Sequence, residues 1–243
     1  KNPYGTFVLK ELMDTGIAQV KLKMVESHID LDQLMAEENS IYMFIGHRNY
    51  MSDADIDKLL EFVSNGNSAL LSYHFIPSYL EHALFDDYVY TNGFDSEPKP
   101  VYIKIDGFDA HMIPFIHEND TSSFYWSHFE QGDLFETYEK LGSIEGKVDF
   151  IKVNYGEGSF FLHVNPYVFT NVNALEKEGL ELIEEVFSKL PEGNVYWDVY
   201  SSNYNNRSYY EKHSVLEFIL NNKSLRWALI TLLLGVLIYG IFA

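Results

Sequence analysis

The sequence predicts an α/β domain with an at least partly parallel sheet, joined through a short linker to one membrane-spanning helix. Three observations predict this. Residues 40–73 read as apolar strand, polar loop, capped amphipathic helix, glycine stop and second apolar strand, which is a βαβ unit. Stretches of helical and strand periodicity alternate over most of the chain. Residues 227–243, WALITLLLGVLIYGIFA, carry no charge.

Each element follows in order. Asn2-Pro3 and Gly5 have turn chemistry, and FVLKELMD then shows a helical apolar face ended by Gly16. Val20, Leu22 and Met24 alternate with Lys21 and Lys23, the pattern of a half-exposed strand. IYMFIG (41–46) is apolar throughout, as expected of a strand covered on both faces. Ser52 or Asp53 caps a helix whose inner face is Ile56, Leu59, Leu60 and Val63, and Gly66 ends it. SALLSY is the next strand and SYLEHALF a short helix. DDYVYTNGFDSEPKP reads as a loop with strand character at its edge, VYIKIDG and AHMIPFIH alternate with period two, and FYWSHF is a partly buried aromatic stretch. VDFIKVNYGEGSFFLHV is a β-hairpin turning at Gly156-Glu157-Gly158. One helix over 174–190, capped by Thr170 or Asn171, buries Leu175, Leu182, Ile183, Val186 and Leu190. VYWDVY is the last strand, and residues 211–222 form an amphipathic helix suited to a membrane surface.

The uncharged run at the C-terminal end covers 17 residues, against the roughly 20 that a bilayer core needs. Leu225 lengthens it, and Lys223, Arg226 and Trp227 stand where interface anchors belong. The expected organisation is a soluble domain over 1–200, a juxtamembrane linker over 201–223 and a transmembrane helix over 224–243. Residue 1 is Lys, so a segment before it is expected to be missing or removed.

Composition narrows the function. The chain has 243 residues, 17 Lys and Arg against 36 Asp and Glu, and a net charge of -19. Nucleic-acid binding is excluded as an expectation, because phosphate contacts need a basic surface. No cysteine is present, so disulfides, thiolate metal sites and cysteine nucleophiles are absent. Hydrophobic residues make up 47%, which favours a packed core over disorder.

Candidate chemistry collects where the two apolar strands end, the edge at which open α/β sheets place ligands. Gly46-His47-Arg48-Asn49 follows the first strand, and Arg48 can clamp an anion. Ser72-Tyr73-His74 follows the second. Arg48, Asn49, Ser72, Tyr73 and His74 are the ligand-binding candidates. No catalytic residue is expected: Ser72 does not lie in G-x-S-x-G, so no nucleophile elbow is encoded. No metal site or cofactor is expected either. No HExxH or H-x-x-x-H spacing occurs, and His111 and His117 lie too far apart on a strand to share an ion. Gly156 to Gly158 is a hairpin turn rather than a phosphate loop, and Trp197-Asp198 reads as a packing aromatic and a loop carboxylate. Asn119 and Asn206 match the N-glycosylation pattern.

Four segments in this order, KNPYGTFVLKEL, the IYMFIG to SALLS unit, VDFIKVNYGEGSFFLHVNPYVFTN with VYWDVY, and SVLEFILNNKSLRWAL, resemble the DUF4350 family of Bacteroidetes envelope proteins. The resemblance implies a flavodoxin-like, class I glutamine amidotransferase-like fold: a mostly parallel sheet flanked by helices, with membrane helices on both sides. It also implies inner-membrane localisation with a periplasmic domain, and envelope partners of the MoxR and von Willebrand factor A type. The superfamily's cysteine nucleophile is missing, and LLSYHF is its equivalent region. The expected function is therefore a non-catalytic, membrane-anchored interaction or scaffold module. The alternatives are a small-molecule binding domain at the sheet edge and a serine- or metal-dependent hydrolase.

Overall fold

The apolar run at 41–45 forms the centre of the structure. In a strand, successive side chains point to opposite faces, so a strand that is apolar throughout needs a covering layer on each side. Strand β2 (Ser40–Ile45) meets that need: Tyr42 and Phe44 enter one core, and Ile41, Met43 and Ile45 the other. The structure is a computed structural model that describes residues 4–14, 22–35, 37–85, 91–93, 100–114, 126–130 and 138–202, with Trp227 and Thr231. Residues Lys1–Asn203 form one compact unit and Tyr204–Ala243 a second.

In the first unit, helices α2 (His28–Leu34), α3 (Asp53–Ser64) and α4 (Ser78–Leu84) supply Leu31, Leu34, Ile56, Leu59, Val63, Leu80 and Leu84 to the Tyr42 face. Helices α1 (Phe7–Asp14), α5 (Asn171–Ala174) and α6 (Lys177–Phe187) supply Leu9, Met13, Ala174, Leu182, Ile183 and Val186 to the other. Truncating one of these buried leucines to alanine costs roughly 2–5 kcal/mol. Ser52 is the cap of α3, its Oγ accepting from the Asp55 amide at 3.2 Å.

The sheet itself departs from expectation. Nine strands lie in the order β1-β11-β2-β3-β10-β9-β8-β5-β6. They are β1 (Leu22–Val25), β2, β3 (Ser68–Ser72), β5 (Val101–Ile105), β6 (Ala110–Ile113), β8 (Tyr138–Ile144), β9 (Lys147–Tyr155), β10 (Gly158–His163) and β11 (Asn194–Asp198). The pairs β1–β11, β11–β2, β2–β3 and β3–β10 are parallel. The pairs β10–β9, β9–β8, β8–β5 and β5–β6 are antiparallel, as is the separate two-stranded sheet of β4 (Thr91–Gly93) and β7 (Ser127–Phe129). The expected flavodoxin-like, amidotransferase-like mostly parallel sheet is therefore corrected to a mixed nine-stranded sheet with four parallel and four antiparallel pairings. The reason is local. Short turns at Gly107, Gly146 and Gly156, all at positive φ, join β5 to β6, β8 to β9 and β9 to β10. A turn of that length permits only antiparallel pairing, because parallel neighbours need a long crossover.

The β9–β10 turn ties the antiparallel half to the βαβ unit. The Glu157 amide donates to the Ser64 carbonyl at the end of α3. A side chain at Gly158 would run into the carbonyl oxygens of Val63 and Asn67. Asn67 is buried there, accepting from the Ser40 amide and donating to the carbonyls of Glu37 and Phe62.

The single helix expected over 174–190 is two. Asn171 accepts from the Val8 amide at 2.7 Å, and Asn173 donates to the Tyr167 carbonyl at 2.9 Å. These side chains fix the short α5, and the chain breaks before α6, leaving Leu175 exposed instead of buried.

No helix among the described residues is long and apolar enough to cross a membrane. In the second unit Trp227 and Thr231 are helical and exposed, and the Thr231 hydroxyl donates to the Trp227 carbonyl at 2.8 Å. The remainder of the expected span, Lys223, Arg226 and the amphipathic helix at 211–222 lie outside the described residues. The expected transmembrane anchor, membrane partners and inner-membrane localisation are withdrawn: no described helix offers the roughly 30 Å apolar surface that a bilayer demands.

Candidate functional site at the carboxyl edge of the parallel strands

Strands β2, β3 and β10 are parallel neighbours, so Gly46, Tyr73 and Val164 leave the sheet at the same edge. The Gly46 amide donates to the Ser72 carbonyl at 3.0 Å, and the Tyr73 amide donates to the His163 carbonyl at 3.2 Å. These bonds carry the sheet one residue past its last pairs and fix where the loops begin.

Above them sits a cluster of rings and one cation. The exposed His47 ring meets His74 edge-on at 5.2 Å and Phe75 at 6.0 Å. The Arg48 guanidinium lies 5.5 Å from the Phe75 ring centre, within cation–π range. Arg48 is exposed and makes no ion pair among the described residues. His74 is almost fully buried (1% exposed). Burial lowers its pKa to about 4, the nearby His47 adds to this, and the Val164 backbone opposes it.

The five candidates divide. Arg48 and His74 join the exposed cluster through Phe75 and His47. Asn49 turns inward, its Oδ1 accepting from the Met51 amide at 2.7 Å, so it shapes the loop instead of facing solvent. Tyr73 is buried against Phe44 at 6.1 Å, and burial together with Glu81 raises its phenol pKa. Ser72 is fully buried on the opposite face from Tyr73, in register with Ile45 and His163.

Ser72 and His163 invite comparison with a nucleophile and its base. His163 Nδ1 accepts from the Asn165 amide at 3.2 Å, so its lone pair is occupied and Nε2 carries the proton. A base must present a lone pair to the hydroxyl, and this tautomer presents none. Burial among Phe150 and Phe169 also lowers the His163 pKa to about 3. Among the described residues no group of three or more His, Asp or Glu is placed to hold a metal ion.

Tyr42 and Asp198 support the edge from beneath. Tyr42 donates to Asp198 Oδ2 at 2.5 Å, and Asp198 Oδ1 accepts from the Ser201 amide at 2.9 Å. The Ser201 carbonyl in turn accepts from the Tyr50 amide at 2.8 Å. The 46–52 loop is thus hung on the end of β11. Burial raises the pKa of both Tyr42 and Asp198. On β9, beyond β3 and β10, Asp149 is fully buried, and burial lifts its pKa to about 7 against the pull of an Asn165 hydrogen bond. Asp149 and His163 are not among the sequence candidates, and Asp198, expected as a loop carboxylate, is instead buried at the end of β11. The signal available was a polar residue within an otherwise apolar run, in VDFI, SFFLHV and VYWDV.

No family model matches the chain, and no curated protein matches it. The expected DUF4350 membership is corrected on that ground, and the membrane-anchored scaffold function falls with it and with the absence of a described spanning helix. Among solved structures, the GH42 beta-galactosidase Gan42B of G. stearothermophilus is 12% identical, with a TM-score of 0.42 over 68% of this chain and 23% of that one. A cytoplasmic protein of Salmonella typhimurium LT2 is 9% identical, with a TM-score of 0.40 over 76% and 86% of the two chains. The exo-beta-1,4-mannosidase Op5Man5 of Opitutaceae bacterium strain TAV5 is 8% identical, with a TM-score of 0.37 over 85% and 38%. The chain spans under a quarter of the length of the galactosidase. TM-scores this low fix neither a shared fold nor an activity.

Proposed function

We propose that the domain binds a small anionic ligand at the carboxyl edge of β2 and β3, without catalysing a reaction on it. The observation that carries this reading is Arg48: an exposed guanidinium with no ion pair among the described residues, laid on Phe75 beside His47, in a chain of net charge -19. A cation with no ion pair among the described residues, its side chain steadied by an aromatic ring, suits recognition of a carboxylate or phosphate group. The loop beneath it is held before any ligand arrives by Asn49, Tyr42, Asp198 and Ser201, which limits the ordering cost of binding.

The non-catalytic part rests on protonation states. His163 has no lone pair to offer Ser72, and His74, with a pKa of about 4, is a weak base at neutral pH. The test is a thermal-shift screen with inorganic phosphate, sulfate, citrate and succinate at low ionic strength. At least one anion is expected to raise the melting temperature of the wild type and leave Arg48→Gln unmoved. Equal shifts in both proteins, or none in either, would overturn the reading.

A further inference from the structure

The Asp149 carboxyl plays no part in the rim site, and its surroundings are unusual. Across β8 and β9, Gly142 pairs with Phe150 and Ser143 with Val148, so Asp149 is the extra residue of a bulge. Bulges re-aim a side chain relative to the strand. Asp149 is fully buried, and its Oδ2 accepts from Asn165 Nδ2 at 2.9 Å. Its Oδ1 has no hydrogen-bond partner among the described residues.

Asn165 is the other half of the device. Its Oδ1 accepts from the Ser127 amide at 2.7 Å, and its Nδ2 donates to the Ser127 carbonyl at 2.9 Å. One carboxamide thus replaces a strand partner for Ser127, the first residue of β7, and clips the small β4–β7 sheet to the large one. Asn165 can do this only while its carboxamide is held in plane, and Asp149 supplies the remaining contact of Nδ2.

We propose that Asp149 and Asn165 form a proton-controlled clasp, which holds the β4–β7 sheet closed while Asp149 is protonated and loosens it when Asp149 ionises. The neutral acid suits the site, because burying a full charge costs more than leaving one O–H unpaired, and burial outweighs the Asn165 hydrogen bond that favours the carboxylate. The ionised group gains most by admitting water, and lifting β7 admits it. The neighbouring titratable groups are Lys140, His163 and His128. Lys140 on β8 acts on Asp149 only at a distance, with its half-exposed ammonium turned to Asp106 at 3.9 Å. His163 on β10 stays neutral, and His128 on β7 is buried.

The test is hydrogen exchange of the 126–130 segment at pH 5.5 and 8.5, corrected for the intrinsic rate. A carboxyl with a pKa of about 7 when closed and 3.8 when open shifts the opening equilibrium about 30-fold over that interval. The wild type is therefore expected to lose about 30-fold in protection at 126–130, with β2 and β3 unchanged. Asp149→Asn is expected to stay protected at both pH values. Asn165→Ala is expected to be open at both, which keeps a readout if the first variant does not fold. A wild-type segment equally protected at both pH values would overturn the proposal, as would the same loss in Asp149→Asn.

Discussion

Replacing Tyr42 with Phe removes one oxygen from the interior and little else, so its cost can be worked from the structure. The phenol is fully buried and donates to Asp198 Oδ2, whose ionised form it favours. Without it Asp198 loses one donor and keeps the Ser201 and Tyr200 contacts that also favour its carboxylate. Hydrogen bonds to charged groups contribute about 1.5–3 kcal/mol, so the expected loss is about 2 kcal/mol. In urea this moves the midpoint down by roughly 1 M with an unchanged slope. The deficit should shrink as the pH falls. Tyr42 is one of the hydrogen-bond donors that oppose the burial-driven rise of the Asp198 pKa, so its removal lets Asp198 take up a proton more readily and escape the penalty. A Tyr42→Phe protein within 0.5 kcal/mol of wild type at pH 7.5, by the error usual for conservative surface changes, would refute the reasoning.

Other consequences follow from the same geometry. His74 and His163, with pKa values near 4 and 3, should show ring proton resonances that stay fixed from pH 8 to 5.5, and a midpoint above 6 for either would contradict their burial. Because the unfolded chain binds protons at these histidines from about pH 6.5 downwards and the folded one does not, stability is lost as pH falls through that range, by about 3 kcal/mol for His74 between pH 6.5 and 4. Gly158→Ala should cost about 3 kcal/mol or more, since its Cβ meets backbone carbonyls that cannot retreat. Gly146→Ala, with open space around it, should cost only about 1 kcal/mol for its positive φ. Comparable losses from the two glycines in chemical denaturation would contradict the account of how the β9–β10 turn docks.

Where one local rule acts alone, the chain was readable. The βαβ unit at 40–72 has a continuous apolar strand, a serine cap and a glycine stop, and all three act within a few residues. The β9–β10 hairpin is equally local, because Gly156 and the alternating strands settle it. The layout of the sheet was not readable in this way. That β10 inserts beside β3, and that β11 lies between β1 and β2, depends on contacts between residues about 90 to 170 positions apart. The break after α5 depends on Asn171 reaching Val8, which no periodicity records. The resemblance carried topology along with it, and here it misled: the tight turn after β9 required antiparallel pairing, while the turns after β5 and β8 were not read from the sequence. At the rim, strand order placed the 46–49 and 72–74 loops together. It did not show that Asn49 would turn inward, or that Phe75, one residue beyond the candidates, would carry Arg48.

The central claim is the anion site at the edge of β2 and β3. The most direct measurement is an amide chemical-shift titration of the wild type and Arg48→Gln with the anion that gives the largest thermal shift, at low salt. The account predicts saturable changes concentrated at residues 46–49 and 73–75 in the wild type and their loss in the variant, with the rest of the spectrum unaltered. Changes scattered over the surface, or a saturable cluster elsewhere that survives in Arg48→Gln, would contradict it.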